Sequence, residues 1–342
     1  MVDATTQHDS QGWDGEALPD DRFTRGEYGP TGISLRLRGR SVLFDTDLAP
    51  DEIDELLGTA ARLKGMRRSG LPHTFLTGKT LGLVFQHPST RTRTAFQVGM
   101  EQLGGHTIFL GTDDLQLRRG ETIEDTAEIM SLYLDAVACR IARHQDLLDF
   151  AAGASVPVFN GLTEKSHPIE ALGDLFTLQE RFGDLKGQTF AYLGDGNNMC
   201  NSLLLACSAM GVNVNVAAPA DYHPVEEIVR IAQGLAATSG AKITVTERLE
   251  EAVTGADAVY TDVHQSMGQN ESTQKATRLA AYRVTTGVMA MAKPTAVFMH
   301  CLPMRRGEEV EAEVADGPQS IIFDQAENRL HVHKALLLHT LC

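Results

Sequence analysis

Long apolar runs are missing from this 342-residue chain. None approaches the roughly 20 residues that span a bilayer, so no transmembrane helix is expected. Basic charge is scarce as well. Lys and Arg number 30 against 45 Asp and Glu, a net charge of −15. Nucleic-acid binding needs a surplus of cations on the contact face, and the balance here argues against it. Cysteine is sparse and odd in number, at Cys139, Cys200, Cys207, Cys301 and Cys342. Scattered positions in a chain of this size do not read as a disulfide framework. No pair has the C-x-x-C spacing of zinc ligands. No G-x-x-x-x-G-K-[ST] phosphate loop, internal repeat or low-complexity tract occurs. The first residues lack the basic start and apolar stretch of a secretory signal, and they are too acidic for a typical mitochondrial transit peptide. A reducing cytoplasm is the expected compartment.

What is present is an ordinary globular mix, 42% hydrophobic and 22% charged, with length for about two domains. Residues 1–36 are polar, acidic and broken by Gly and Pro, and they are expected to be a disordered extension. Beyond them helical and strand-like patterns alternate. Helices are predicted over 49–64, 90–103, 122–134 and 168–182, then 197–210, 224–237 and 326–340. Apolar strand-like runs fall at 80–85, 106–111, 136–141 and 156–161. A second series falls at 189–193, 212–219, 242–247, 258–263, 296–302 and 320–325. Strands alternating with helices predict an α/β protein of two doubly wound parallel-sheet domains. The helix at 168–182 is the expected bridge between them, with the active site in the cleft.

In open parallel sheets ligands sit beyond the carboxyl ends of the strands. The residues there are Ser89-Thr90-Arg91-Thr92-Arg93, Arg140, His167, Gly194 to Asn198, Asp262 and His300-Cys301-Leu302-Pro303. At 89–93 hydroxyls, helix-start N–H groups and guanidiniums converge, a set suited to a phosphate dianion. The same residues also fit a plain helix start with exposed arginines.

The segment FQHPSTRTRTAFQVGMEQLGGHTIFL (85–110) resembles the carbamoyl-phosphate loop of the aspartate and ornithine carbamoyltransferase family. The likeness extends to His167-Pro168-Ile169-Glu170, GDGNNMCNS (194–202), DVHQSMGQ (262–269), HCLP (300–303) and AENR (326–329). The motifs run in family order over residues 37–342, and the SMG and GNN elements point to the ornithine branch. The resemblance implies a carbamoyl-phosphate domain at 37–165 and an amino-acid domain at 166–325, with helix 326–342 packing back on the first. Ser89, Thr90, Arg91 and Thr92 would hold the phosphate. Arg140 and His167 would meet the carbonyl oxygen, and Glu170, Cys301, Leu302 and Arg329 the carbamoyl end. Asn198, Asp262, Ser266 and Met267 would meet ornithine. Gln116 matches a loop glutamine that the family inserts into a neighbouring subunit, which implies a homotrimer. Arg91, Arg93, Arg140 and Arg329 are expected to gather in the cleft. The partners would be the small molecules carbamoyl phosphate and L-ornithine, with neither nucleic acid nor membrane. No metal or organic cofactor is expected, because carbamoyl phosphate is already activated.

Two positions depart from the family pattern. Glu170 stands where the family has Gln, which places a carboxylate beside a phosphate dianion. His264 stands where ornithine enzymes often carry Trp. Three alternatives stay open on the sequence: carbamoyl transfer to another amine such as lysine or putrescine, a non-catalytic paralogue, and a nucleotide-binding oxidoreductase. The last is weak, because a G-x-G-x-x-G loop would need Gly where Met199 stands.

Overall fold

The computed structural model describes residues 32–111, 113–264 and 273–342. The first half runs α1 (Pro50–Arg68), β1 (Thr80–Phe85), α2 (Arg91–Gln102), β2 (His106–Gly111), α3 (Ile123–Tyr133), β3 (Ala136–Arg140), α4 (His144–Gly153) and β4 (Val158–Leu162). After α5 (Pro168–Phe182) the second half runs β5 (Thr189–Leu193), α6 (Asn198–Ala209), β6 (Asn213–Ala217), α7 (Glu226–Ser239), β7 (Ile243–Thr246), α8 (Leu249–Val253) and β8 (Ala258–Thr261). It closes with α9 (Thr273–Leu279), α10 (Thr286–Met291), β9 (Val297–Met299), α11 (Ala312–Ala315) and α12 (Ile322–Leu341).

The strands form two all-parallel sheets, in the orders β2-β1-β3-β4 and β7-β6-β5-β8-β9. β1, β3, β5 and β8 are almost wholly buried, as the continuous apolar runs require when helices cover both faces. Strand order reverses between β1 and β3 in the first sheet and between β5 and β8 in the second. Ligands of such sheets sit at those switch points. Every strand-end motif singled out in the sequence follows one of these four strands, or β4 or β9 beside them.

α5 joins the halves, and its residues from Pro168 to Leu178 are all buried. α12 packs against α5, α1 and α2, so the C-terminal helix returns to the first half. One hydrophobic core runs through both helices and touches both sheets, including Phe96, Leu175, Phe190 and Leu336. Burying side chains of this size contributes about 1.5–3 kcal/mol each. Lys64 of α1 is buried in the same seam, where it donates to Glu180 at 2.7 Å and to Asn328 at 2.6 Å.

Two expectations need correction. The extension does not reach residue 36, because Ile33 is already in the core at 4% exposure, packed with Leu37 just beyond the expected bound. An i, i+4 apolar pair in a Gly-rich stretch was too weak a signal. The run 320–325 is not a strand. Ser320 makes one isolated bridge to Phe298, and α12 starts at Ile322. Alternation would have buried Ile321 and Phe323 together, whereas Ile322 is buried and Phe323 is 72% exposed.

Candidate active site

α2 begins at Arg91, and its N-cap Thr90 makes no side-chain capping bond. The first-turn N–H groups therefore stay open to an anion. Arg140, the last residue of β3, is 5% exposed and reaches Thr92 Oγ1 at 3.5 Å and the Gly161 carbonyl at 3.4 Å. Arg329 arrives from α12 and is also buried. The three guanidiniums act on one another. Burial is the main force that lowers each pKa; Arg91 lowers Arg140, to about 10, and both lower Arg329. Buried Nε atoms of Arg91 and Arg329 have no hydrogen-bond partner among the described residues. Neighbouring cations with unused donors suit a small anion. Arg93 is not part of it. Its guanidinium lies 3.5 Å from the centroid of the Phe109 ring and donates to Gln97. Two residues into the helix, this arginine is captured by an aromatic neighbour.

His167 caps α5 and is held by its backbone N–H, which donates to Ser202 Oγ at 2.8 Å. Burial first, then Arg140 and Arg329, push its pKa well below the usual value, so the imidazole is neutral. Its Nε2 lies 3.3 Å from Glu170 Oε2, and the other carboxylate oxygen of Glu170 accepts from Arg329. A neutral imidazole facing a carboxylate carries its proton on that side. Glu170 is thus clamped between the two groups expected at the carbamoyl end, and it neutralises one of three arginines.

The opposite wall comes from the second sheet. Cys301 Sγ donates to Asp262 Oδ1 at 3.1 Å, and Asn197 Nδ2 donates to Asp262 Oδ2 at 2.8 Å. Burial and the adjacent carboxylate hold the Cys301 thiol protonated. Arg329 also donates to the Cys301 carbonyl at 3.1 Å, which ties the two walls together. Leu302 has φ 62°, and its N–H donates to His300 Nδ1 at 2.8 Å. His300 Nε2 faces Glu309 at 3.4 Å. Asp262, His300 and Cys301 are near enough to share a cation, but His300 Nδ1 already accepts the Leu302 N–H.

The turn after β5 brings Asn198 to the linker, where it donates to the Thr163 carbonyl at 2.7 Å. Gly196 fits only without a side chain, since a Cβ would lie 2.3 Å from Pro224 N. His264 is buried, with its Nε2 unpartnered among the described residues. Gln116 is exposed on a single helical turn after β2, away from this cluster's bonds. Ser266 and Met267 lie outside the described residues. Sequence reasoning assigned no role to Ser202, or to Asn197 beyond its place in the 194–198 turn, and these residues orient His167 and Asp262. Asn197 as an N-cap of α6 was the available signal.

A cluster of three arginines, a neutral imidazole and a thiol–carboxylate pair come together between two parallel-sheet units. That is the layout of a group-transfer enzyme with a small phosphorylated donor. The chain belongs to the aspartate/ornithine carbamoyltransferase family. Its carbamoyl-P binding domain model matches residues 40–180, and its Asp/Orn binding domain model matches 186–340. The chain is 47% identical over 293 residues to an ornithine carbamoyltransferase of Methanoculleus marisnigri, covering 85% of this chain and 94% of that one. It is 47% identical over 304 residues to that of Pyrococcus abyssi, covering 89% and 96%. The solved ornithine carbamoyltransferase of Pyrococcus furiosus superposes with a TM-score of 0.87 at 46% identity, covering 89% of this chain and 98% of that chain.

Proposed function

We propose that the protein transfers the carbamoyl group of carbamoyl phosphate to the side-chain amine of L-ornithine, giving L-citrulline and phosphate. The observation that carries this reading is the convergence of Arg91, Arg140 and Arg329 with the Cys301–Asp262 pair opposite them. Ser89, Thr90, Arg91 and Thr92 take the phosphate at the open start of α2, with Gln116 of a neighbouring subunit. Attack on the carbamoyl carbon builds charge on its oxygen, and fixed donors aimed there stabilise it. Thr92 and Arg140 are those donors, and His167 joins them by turning its Nε2–H from Glu170 to the carbonyl oxygen. The phosphate leaves as an anion beside the arginines. Glu170 and the carbonyls of Cys301 and Leu302 accept from the carbamoyl NH2. A free amine of pKa near 10.4 is mostly protonated at neutral pH, so the site must make it neutral before attack. Asp262 and Cys301 receive it, flanked by Asn198, Ser266 and Met267. Holding both substrates in line contributes several kcal/mol more.

The unit is a homotrimer acting in the cytoplasm. In support, α3 leaves Leu132 and Tyr133 exposed at 75% and 76%, next in sequence to the Gln116 turn. Apolar area of this kind on a monomer marks a contact surface. Among the described residues no helix is long and apolar enough to cross a membrane. A second reading keeps the chemistry and changes the amine, and the buried His264 two residues after Asp262 favours it. Incubation with carbamoyl phosphate and a panel of amines, following phosphate and ureido product, tests both. Product with ornithine alone supports the first reading, product with another amine the second. Absence of product with every amine overturns carbamoyl transfer.

A further inference from the structure

Beside the acceptor end of the site, the turn after β5 carries a buried ion pair of its own. Asp195 lies between Gly194, at φ 123°, and Gly196, which sits flush on residues 222–224. Glycines on both sides leave the backbone of this turn little stiffness of its own. Its hold comes from bonds at Asp195. The Asp195 carbonyl accepts the Tyr192 hydroxyl at 2.9 Å and the Asn197 N–H at 2.7 Å. The Asp195 carboxylate accepts from Lys275 Nζ of α9 at 2.5 Å. The same ammonium lies 5.3 Å from the centroid of the Tyr222 ring, and the Tyr222 carbonyl accepts the Gly196 N–H at 2.7 Å. The two side chains of the pair are 13% and 9% exposed, so both charges are largely out of water. An exposed pair gains little, whereas a buried carboxylate that loses its cation is costly.

Asn197 carries the placement of this turn to the site. Its Oδ1 accepts the N–H groups of Met199 and Cys200 at 3.0 and 3.1 Å, so its Nδ2 is the end that donates to Asp262, at 2.8 Å. Among the described residues the donors to Asp262 are this amide, the Val263 N–H and the Cys301 thiol, all neutral. We propose that Lys275 and Asp195 are positioning residues for the acceptor. The pair pins the turn between its two glycines, which keeps Asn197 aimed at Asp262. It also commits the nearby cation to Asp195, which leaves the Asp262 charge to the incoming amine. The proposal rests on the carbamoyl-transfer reading, in which the amine meets Asp262. Release of the anchor lets the turn shift, and small misplacements at a reacting centre are costly. The donor end, built on α2, β3 and α12, keeps its own bonds.

The test uses the full-length protein and the amine that gives product. Lys275→Met is expected to raise the acceptor KM about tenfold or more, the loss of one charge-assisted bond, with the affinity for inorganic phosphate unmoved. Lys275→Arg keeps a cation against Asp195 and the Tyr222 ring and is expected to restore most of the loss. Arg278→Met removes the exposed pair with Asp221 on the same helix and is expected to leave the acceptor KM within about twofold of the wild type. Asp195→Asn combined with Lys275→Met leaves neither charge of the pair behind. Its urea midpoint is expected to recover toward the wild type, while its acceptor KM stays raised because the anchor is gone. A folded Lys275→Met variant with the acceptor KM of the wild type overturns the proposal. So does a double variant whose KM recovers together with its urea midpoint, since the pair then serves stability alone. Should Lys275→Met fail to fold, the double variant decides: a raised KM supports the proposal and a wild-type KM overturns it. Wild-type protein that carbamoylates no amine overturns the reading and the proposal together, whereas an unmoved KM in variants of an active enzyme overturns the proposal alone.

Discussion

Replacing Glu170 by Gln isolates one charge inside the candidate site. Glu170 Oε1 pairs with buried Arg329, and Oε2 faces His167 at 3.3 Å. Gln keeps an acceptor for Arg329 but removes the negative charge, so the pocket gains one net positive charge. Two unit charges about 8 Å apart at an effective dielectric constant near 20 interact by roughly 2 kcal/mol. A phosphate dianion carries two charges, and water and salt screen part of the gain. Inorganic phosphate should therefore bind at least about tenfold tighter to the variant, a change of roughly 1.4 kcal/mol or more. The same substitution unbalances a buried pair. Removing one member of such a pair costs roughly 3–5 kcal/mol, and the retained hydrogen bond puts the loss at or below the lower end. Calorimetric titration with phosphate at two salt concentrations measures the first effect, and urea unfolding the second. Product inhibition by phosphate should strengthen by the same factor as its affinity. Unchanged or weaker phosphate binding in a folded variant would show that the Glu170 charge does not act on the anion site.

Other outcomes follow from the same geometry. Gly196→Ala forces a Cβ against backbone, 2.3 Å from Pro224 N and 2.5 Å from His223 C. Overpacking of this kind costs about 1–3 kcal/mol, so the urea midpoint should fall and the acceptor KM rise; a variant with both unchanged would refute the tight turn. Burial lowers His331 and His333 to about 3 and His339 to about 4. Their folded pKa values lie below the unfolded 6.5, so their contribution is complete above pH 6.5 and is lost as pH falls toward 4. At pH 5 each should remove about 2 kcal/mol, and His339→Gln should flatten the loss measured by unfolding at pH 7 and pH 5; an unchanged slope would count against it. If Gln116 completes a neighbour's site, refolding Gln116→Ala together with Arg91→Ala should restore activity that neither variant has alone. A mixture as inactive as its components would point to self-contained sites.

The candidate site residues were legible because chemistry at a strand end interrupts an apolar run. STRTR after β1, Arg140 at the end of β3 and HCLP after β9 all announce themselves this way, and two parallel sheets followed from the same pattern. Arg93 looked equivalent to Arg91 because spacing carries no direction, and only the Phe109 ring decides which guanidinium turns away. α8 to α11 are four to seven residues long, too short for a helical period to show. The supporting shell was hidden for a different reason. Lys275 stands 80 positions from Asp195 on a short helix, where a lysine is ordinary surface. Asp195 was the readable half, an acid between two glycines just after β5.

The placement of charge explains how so acidic a chain can hold a phosphate. A field from dispersed surface acids is screened within about 8 Å at physiological salt, whereas buried groups in contact are not. The −15 of the whole chain is thus nearly irrelevant inside the cleft, where the pKa values of Arg91, Arg140 and Arg329 are depressed by burial and, for Arg140 and Arg329, by the neighbouring arginines. Such a cluster is unstable without an anion. Glu170 supplies one charge permanently, which lets the pocket fold empty. The rest remains uncompensated until a substrate anion arrives, and that difference is what binding draws on. A neutral Gln at 170 would leave more charge for the substrate to satisfy and a less stable empty site. The substitution therefore trades donor affinity for stability of the unliganded enzyme, and both sides of that trade move in the same Glu170→Gln experiment.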